Sequence, residues 1–170
     1  FKQKKIISIN MSSYKLNEEW DLWYHSLKDP NWEKSSYQKL VSLKSLFDYQ
    51  LIIDTFKQNH YQNGMFFCMK KNVFPNWEDP INRQGGCLSF KVSSKNMMDE
   101  WNQLLLYCIN NHILKNNNQE VNGISISPKK EFNIIKIWFR FKKSDEYKQN
   151  FIVERENFQI EKSIFREHSV

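Results

Sequence analysis

The sequence predicts an α+β fold, a curved antiparallel β-sheet backed by helices on one face. Three observations predict it. Segments with a two-residue alternation of apolar and polar side chains recur along the chain. Helical segments fall between them in no regular β-α-β order, and some strands follow one another across short turns.

Residues 15–27 alternate, with Trp20, Leu22 and Tyr24 on one face. Residues 28–34, KDPNWEK, form a loop that carries Trp32. Residues 48–59 read as a helix with Leu51, Ile52, Thr55 and Phe56 near one side. Residues 64–70 and 86–93 read as strands. Between them Phe74-Pro75-Asn76-Trp77-Glu78-Asp79-Pro80-Ile81-Asn82-Arg83-Gln84-Gly85-Gly86 is an irregular loop, because its prolines exclude helix and central strand. The Gly85-Gly86 pair supplies permissive backbone for leaving it. Asn96 is predicted to cap a helix over 97–112, with Asp99 in its first turn. Met97, Trp101, Leu104, Leu105 and Cys108 form one apolar stripe there, which places Trp101 in the core.

The polar run Lys115–Glu120 is a loop. Residues 122–128 and 132–143 are two strands joined through Pro128-Lys129-Lys130-Glu131. In the second, Ile135, Ile137, Phe139 and Phe141 share one face. Ile134, Lys136, Trp138 and Arg140 share the other, so an indole lies between two cations. Residues 144–170 hold a helix or loop and a short last strand near Ser163-Ile164-Phe165.

At 170 residues the chain fits one domain, 1–170, whose first 13 residues are expected to be flexible. With 40% hydrophobic and 26% charged residues it is globular rather than disordered. The longest apolar run, Leu104–Ile109, is far below the roughly 20 residues of a membrane span. No membrane partner is expected. The start, Phe1-Lys2-Gln3-Lys4-Lys5, lacks an initiator Met and a secretory segment and reads as trimmed, so a targeting segment can have been lost with it.

Cys68, Cys87 and Cys108 are widely spaced with no C-x-x-C pair. They read as reduced thiols in a reducing compartment, with no zinc site and no cofactor. His25, His60, His112 and His168 are scattered, and each reads as a satisfied surface or core histidine. No phosphate-binding G-x-x-x-x-G-K, no H-E-x-x-H and no paired catalytic carboxylates occur, which argues against an enzyme. The formal charge is +6, with 15% aromatic residues. Cations plus aromatic faces suit an anionic partner whose bases stack.

Three tryptophans are not needed by the apolar stripes: Trp32 and Trp77 on loops, and Trp138 on the polar face of a strand. A loop tryptophan such as Trp77 either caps the core or is presented to a partner. Two indoles can sandwich a base, and a cationic base such as 7-methylguanine gains cation–π attraction as well. The adjacent Glu78 can accept guanine N1–H and N2–H₂ together. A backbone N–H at the Trp77–Glu78 corner can donate to guanine O6, and lysines can receive phosphates.

On these residues the chain resembles the eukaryotic translation initiation factor 4E family, the messenger RNA cap-binding proteins. The resemblance runs from about Leu16 to His168. The pattern P-x-W-E-D-x-x-N-x-x-G-G matches Pro75, Trp77, Glu78, Asp79, Asn82, Gly85 and Gly86. W-x-L-W followed by W matches Trp20, Leu22, Trp23 and Trp32, and W-x-x-x-L-L matches Trp101, Leu105 and Leu106. Gly123 and Trp138 keep the family spacing, and Phe165 and His168 resemble its Y-x-x-H. The resemblance implies a slot on the concave face. Trp32 and Trp77 would sandwich the base, Glu78 would read guanine, and Trp138 would touch the N7-methyl. Trp20 and Trp23 stay structural.

It also implies capped mRNA, through 7-methylguanosine triphosphate, as ligand. An initiation factor 4G-like scaffold or a 4E-binding peptide would bind the convex face. The location would be cytoplasmic, or cytoplasmic and nuclear. Two alternatives stand beside this role: a divergent cap-binding paralogue that represses translation, and a protein-interaction domain with lost cap affinity.

The chain departs from the family in places. Lys129 holds the position of a phosphate-clamping Arg, Ile134 stands where a Lys is usual, and Cys87 stands where Arg is common. Lys129 is expected to take the first phosphates, with Lys130 or Lys136 replacing the missing lysine; Lys136 reads equally well as solvated surface, and for Arg140 solvated surface is the favoured reading. On the convex face no Trp stands on the first helix. Phe56 is the nearest counterpart, and Gln103 replaces a usual Glu, so a partner peptide is expected around Phe56 and Gln103 but bound more weakly than by a typical family member.

Overall fold

The computed structural model describes residues 14–169; the N-terminal segment 1–13 expected to be flexible lies outside the described residues. Among the described residues the strands are β1 (Lys15–Ser26), β2 (Tyr37–Ser45), β3 (Gly64–Lys70), β4 (Gly86–Ser93), β5 (Val121–Pro128), β6 (Phe132–Phe139) and β7 (Ile164–Glu167). The helices are α1 (Leu46–Thr55), α2 (Gln58–Asn63), α3 (Met97–Ile109) and α4 (Ser144–Asn150). The strands form one sheet in the order β2-β1-β3-β5-β6-β4-β7, with every neighbouring pair antiparallel. The α+β expectation holds.

Period-two alternation separates the two faces of this sheet. On the helix-covered face Trp20 and Leu22 (β1), Phe66 and Cys68 (β3), Leu88 and Phe90 (β4), and Ile135, Ile137 and Phe139 (β6) meet the α3 stripe of Met97, Trp101, Leu104, Leu105 and Cys108. Trp101 is in the core as expected, and its indole N–H donates to Tyr61 Oη at 3.0 Å. The opposite face carries a smaller cluster of Tyr37, Phe67, Met69, Val73, Cys87 and Trp138.

The alternation of β1 and β6 was readable; that of β2 was not. Val41 and Leu43 pair with Leu22 and Trp20 on the helix-covered side. A register shift at Leu40 then turns Lys39 and Tyr37 to the other face, opposite Trp23 and His25. One extra residue breaks the alternation, so the segment does not read as a strand.

The helix expected at 48–59 is two helices. It starts early because Ser45 and Asp48 form a reciprocal capping box. It stops because Phe56 turns extended and packs edge-on against Phe66 at 5.4 Å. His60 Nδ1 then accepts the Lys57 N–H at 2.9 Å and starts α2.

Asn96 precedes α3 but makes no side-chain cap, correcting that expectation. The helix ends at Ile109, short of 112, because Asn111 takes a left-handed φ of 54°. β6 ends at Phe139, short of 143. The Arg140 N–H donates to Glu120 O, and Phe141 is exposed instead of pointing into the core. Gly85 and Gly86 keep ordinary φ, so they are not needed for left-handed backbone. At Gly85 the reason is room: a Cβ there would lie 1.8 Å from Phe139 O.

Replacing the cap serine, Ser45→Ala, is expected to lower unfolding free energy by about 1 kcal/mol, the usual cost of a lost N-cap. Chemical denaturation should show a lower midpoint with an unchanged denaturant slope.

Candidate functional site

Cross-strand pairs point to the same face, so the sheet register orders the open face in rows. One row reads Asp21–Met69–Gly123–Trp138–Cys87–Arg166 across β1, β3, β5, β6, β4 and β7. The next reads Trp23–Phe67–Ser125–Lys136–Ser89–Ile164. Above these rows lies a cleft of about 810 Å³ with Trp32 and Trp77 in its walls.

Trp138 is part of its floor and is 7% exposed. Its indole N–H donates to Ser125 Oγ at 2.9 Å, which fixes the ring and satisfies its only donor. Trp32 and Trp77 are 50% and 42% exposed, unusually high for indoles.

Each stands on a loop stiffened by side chains. Asp29 Oδ1 accepts the Asn31 N–H and Asn31 Oδ1 accepts the Glu33 N–H, both at 2.9 Å, which bends the chain on either side of Trp32. The inner face of Trp32 lies flat on His25.

Asn82, fully buried, organises the Trp77 loop. Its Nδ2 donates to Phe74 O and Asn76 O at 2.9 Å, and its Oδ1 accepts from Asn122 Nδ2 at 2.9 Å. Asp79 serves the same loop by accepting the Ile81 N–H at 2.9 Å. The Glu78 N–H is taken by Asn76 Oδ1, so the donor left at that corner is the Trp77 N–H, unpaired among the described residues. The Glu78 carboxylate is exposed beside Trp77 and is not part of the cleft wall. Burial, and next the charge of Glu78, push the Tyr37 hydroxyl up to about 12.

The structure therefore brings Trp32, Trp77, Trp138, Lys129 and Lys136 to one cleft. Lys130 is not there; it borders a smaller cleft with Gln58, Gln62 and Asn133. Arg140 lies against the Phe141 ring and is also outside. Phe56 is half-buried against the core, whereas the exposed apolar side chains of α1 are Phe47 and Leu51. Gln103 is half-buried on α3, next to Asn102, whose carbonyl accepts from Tyr49 Oη of α1 at 3.0 Å.

The sequence model of eukaryotic initiation factor 4E matches residues 15–164. The chain belongs to the eukaryotic initiation factor 4E family. Among its relatives, eukaryotic translation initiation factor 4E of Dictyostelium discoideum is 24% identical over 136 residues, covering 76% of this chain and 53% of that protein. The Saccharomyces cerevisiae factor is 28% identical over 130 residues, covering 72% of this chain and 60% of that protein. The chain thus spans little more than half the length of these relatives.

Among solved structures, Ascaris suum eIF4E-3 in complex with m7G cap superposes with a TM-score of 0.69 at 18% identity, over 78% of this chain and 77% of that one. Caenorhabditis elegans eIF4E-3, in complex with the 4E-binding protein Mextli, superposes with a TM-score of 0.72 at 16% identity, over 80% of each chain. These likenesses show a common fold.

Reading the sequence missed the roles of two residues of this family member's cleft, Arg166 and His168. Ile164, Arg166 and His168 alternate at the C-terminal edge, and all three line the cleft. The alternation was the available signal, in a strand of only four residues. Arg166, Lys129 and Lys136 are in no ion pair among the described residues, and Glu167, which also lines the cleft, is paired with Lys142 at 3.3 Å.

His168 is not a bystander. Its Nδ1 lies 2.7 Å from Asn82 O, and its Nε2 lies 3.2 Å from Cys87 Sγ. A carbonyl only accepts, so Nδ1 carries the proton and Nε2 accepts the thiol S–H. Burial pushes the Cys87 thiol up to about 12, so it stays a donor at neutral pH. Burial lowers the His168 pKa, helped by Lys136 and Lys142, against the contrary pull of the Asn82 carbonyl.

Because the folded pKa is depressed, neutral His168 contributes stability that is full above the unfolded value of about 6.5 and is lost as pH falls. Going from about pH 7.5 to about 5.5 should destabilise the native chain more than His168→Gln, which removes this titration. Thermal unfolding of both across that range, showing equal slopes, would mean that the His168–Cys87 pair carries no such linkage.

Proposed function

We propose that this chain binds the 7-methylguanosine 5′ cap of messenger RNA in translation initiation, as a binding module rather than an enzyme. The observation that carries the proposal is the pair of exposed loop indoles, Trp32 and Trp77, in the walls of one cleft that Lys129, Lys136 and Arg166 also line. Family membership and the cap named for the Ascaris suum complex support it.

In this reading the methylated base enters between Trp32 and Trp77. Its positive charge faces two indole π-systems, each worth about 0.5–2 kcal/mol beyond area burial. Glu78, exposed and in no ion pair among the described residues, turns onto guanine N1–H and N2–H₂. The Trp77 N–H supplies the donor for O6. Trp138 sets the depth of the slot beside the N7-methyl.

The triphosphate lies over Lys136 and towards Lys129 and Arg166, while Cys87 and Ile134 offer it no charge. A 4E-binding or 4G-like segment would lie on the helix-covered face around α1 and α3. There Phe47 and Leu51 are exposed, Gln103 is half-buried, and Phe56 supports from the core. The C. elegans complex with Mextli supports a partner of this kind.

The base sandwich is tested by Trp32→Ala and Trp77→Ala. Each is expected to weaken 7-methyl-GTP binding by about 1–3 kcal/mol, the value of one base–aromatic stack, with the fold intact by circular dichroism. Glu78→Gln should lose about 1–3 kcal/mol through a donor facing a donor. Asp79→Asn should spare affinity and lower thermal stability instead, since Asp79 is occupied by the loop N–H groups. Equal affinity losses in a calorimetric titration would remove Glu78 as the guanine reader.

The phosphate assignment is tested by titrating 7-methyl-GTP and 7-methylguanosine across a salt series. Exposed charges are screened within about 10 Å at about 0.1 M salt, so triphosphate binding should fall steeply and nucleoside binding hardly at all. Lys136→Ala, Lys129→Ala and Arg166→Ala should each flatten the triphosphate slope, whereas Lys130→Ala should not. A flat response to all three would place the phosphates elsewhere.

A further inference from the structure

We propose that His25 is a positioning residue that presets the Trp32 wall of the slot before any ligand arrives. The inference rests on reading the cleft as a base-binding slot and says how one wall of it is held.

His25 lies on β1, with no exposed surface. Its ring is parallel to the Trp32 indole, with centroids 4.0 Å apart and an interplanar angle of 2°. Its Nε2 lies 2.8 Å from the carbonyl oxygen of Asn31, the residue before Trp32. A carbonyl only accepts, so Nε2 carries the hydrogen. Nδ1 is buried without a partner, so Nε2 makes the ring's hydrogen bond.

One imidazole thus does two things: its face supports the indole, and its N–H tethers the loop that carries the indole. Tyr37, the cross-strand partner of His25 on β2, meets His25 edge-on at 4.9 Å and Trp32 at 6.2 Å. The support therefore runs back into the β1–β2 pair.

The consequence concerns the open face of Trp32. An indole that is half exposed on a loop would ordinarily sample several rotamers. Ordering it on binding would cost free energy that shows as lost affinity. With its inner face closed by His25, Trp32 offers a ligand one face in one plane. A phenyl ring at this position would supply the flat support without the tether. A short amide would supply a donor without the support. The two contributions can therefore be separated.

The first measurement needs no ligand. In the nuclear magnetic resonance spectrum of the free protein, the His25 ring protons should be shifted upfield by the Trp32 ring current. The shift should vanish in Trp32→Ala. An unshifted His25 ring would overturn the inference whatever the chain binds.

The second measurement uses 7-methyl-GTP. His25→Ala should bind about 3- to 10-fold more weakly, the range expected for one aromatic pair. His25→Phe should recover most of that loss, and His25→Asn should not. Where His25→Ala does not fold, His25→Leu, which fills the volume without a flat ring, takes its place. Native affinity in His25→Ala or His25→Leu, or no recovery in a folded His25→Phe, would overturn the positioning role. If the native chain does not bind 7-methyl-GTP, the cap reading falls, and the ring-current shift alone decides whether Trp32 is preset.

Discussion

The register of β4 against both of its neighbours is the constraint on which the cleft depends. Cys87 pairs with Trp138 on one side and Arg166 on the other, and Ser89 pairs with Lys136 and Ile164. A one-residue slip of β4 would send Cys87 and Ser89 into the apolar core and bring Leu88 and Phe90 to the open face beside Trp138, Lys136 and Arg166. That slip is prevented by the other face, where Leu88, Phe90 and Val92 are buried under α3. The core is thus what holds the cationic floor in place. Gly123 belongs to the same constraint: a Cβ there would lie 2.3 Å from Cys68 O, so a larger residue would push β5 and β3 apart below Trp138.

Above that floor the walls are loops, and their stiffness comes from short polar side chains rather than apolar packing. Asn82 connects the two carbonyls of the Trp77 loop to Asn122 on β5, and its own carbonyl receives His168 from the C-terminal edge. Asp29 and Asn31 play the corresponding part at Trp32. A buried amide with all its groups paired is stabilising, whereas each group left orphaned costs about 1–3 kcal/mol. The Trp77 loop is thereby coupled to β5 and to His168, just beyond β7.

Much of this was legible in the sequence where one signal acted alone. Strands β1 and β6 followed from alternation, the α3 stripe from helical spacing, and the two loop tryptophans from prolines and the lack of apolar periodicity. The failures share a cause. β2 was hidden by a bulge at Leu40, and α1 was ended by a packing contact between Phe56 and Phe66, both tertiary events. His25, Asn82, Arg166 and His168 were passed over because their meaning lies in what faces them across the sheet. Lys130 was taken for a phosphate ligand on its position in the turn, and the turn directs it to another cleft.

The composition of the cleft implies a particular balance of forces. Under the proposed cap binding its base end would be fixed rings: Trp138 tied to Ser125, Trp32 lying on His25, and Trp77 on a loop held by Asn82. Its phosphate end would be Lys129, Lys136 and Arg166, with the neutral Cys87 and Ile134 and the Lys142-paired Glu167 also in the lining. Two of those three cations are lysines, flexible point charges without the two-pronged geometry of an arginine clamp. Stacking on a cation survives added salt far better than exposed phosphate contacts do. Under the proposed cap binding, a cleft so arranged would draw its specificity from the base and use the phosphates mainly to attract the ligand. Discrimination for the methylated base should therefore persist at ionic strengths where affinity for the triphosphate has already fallen.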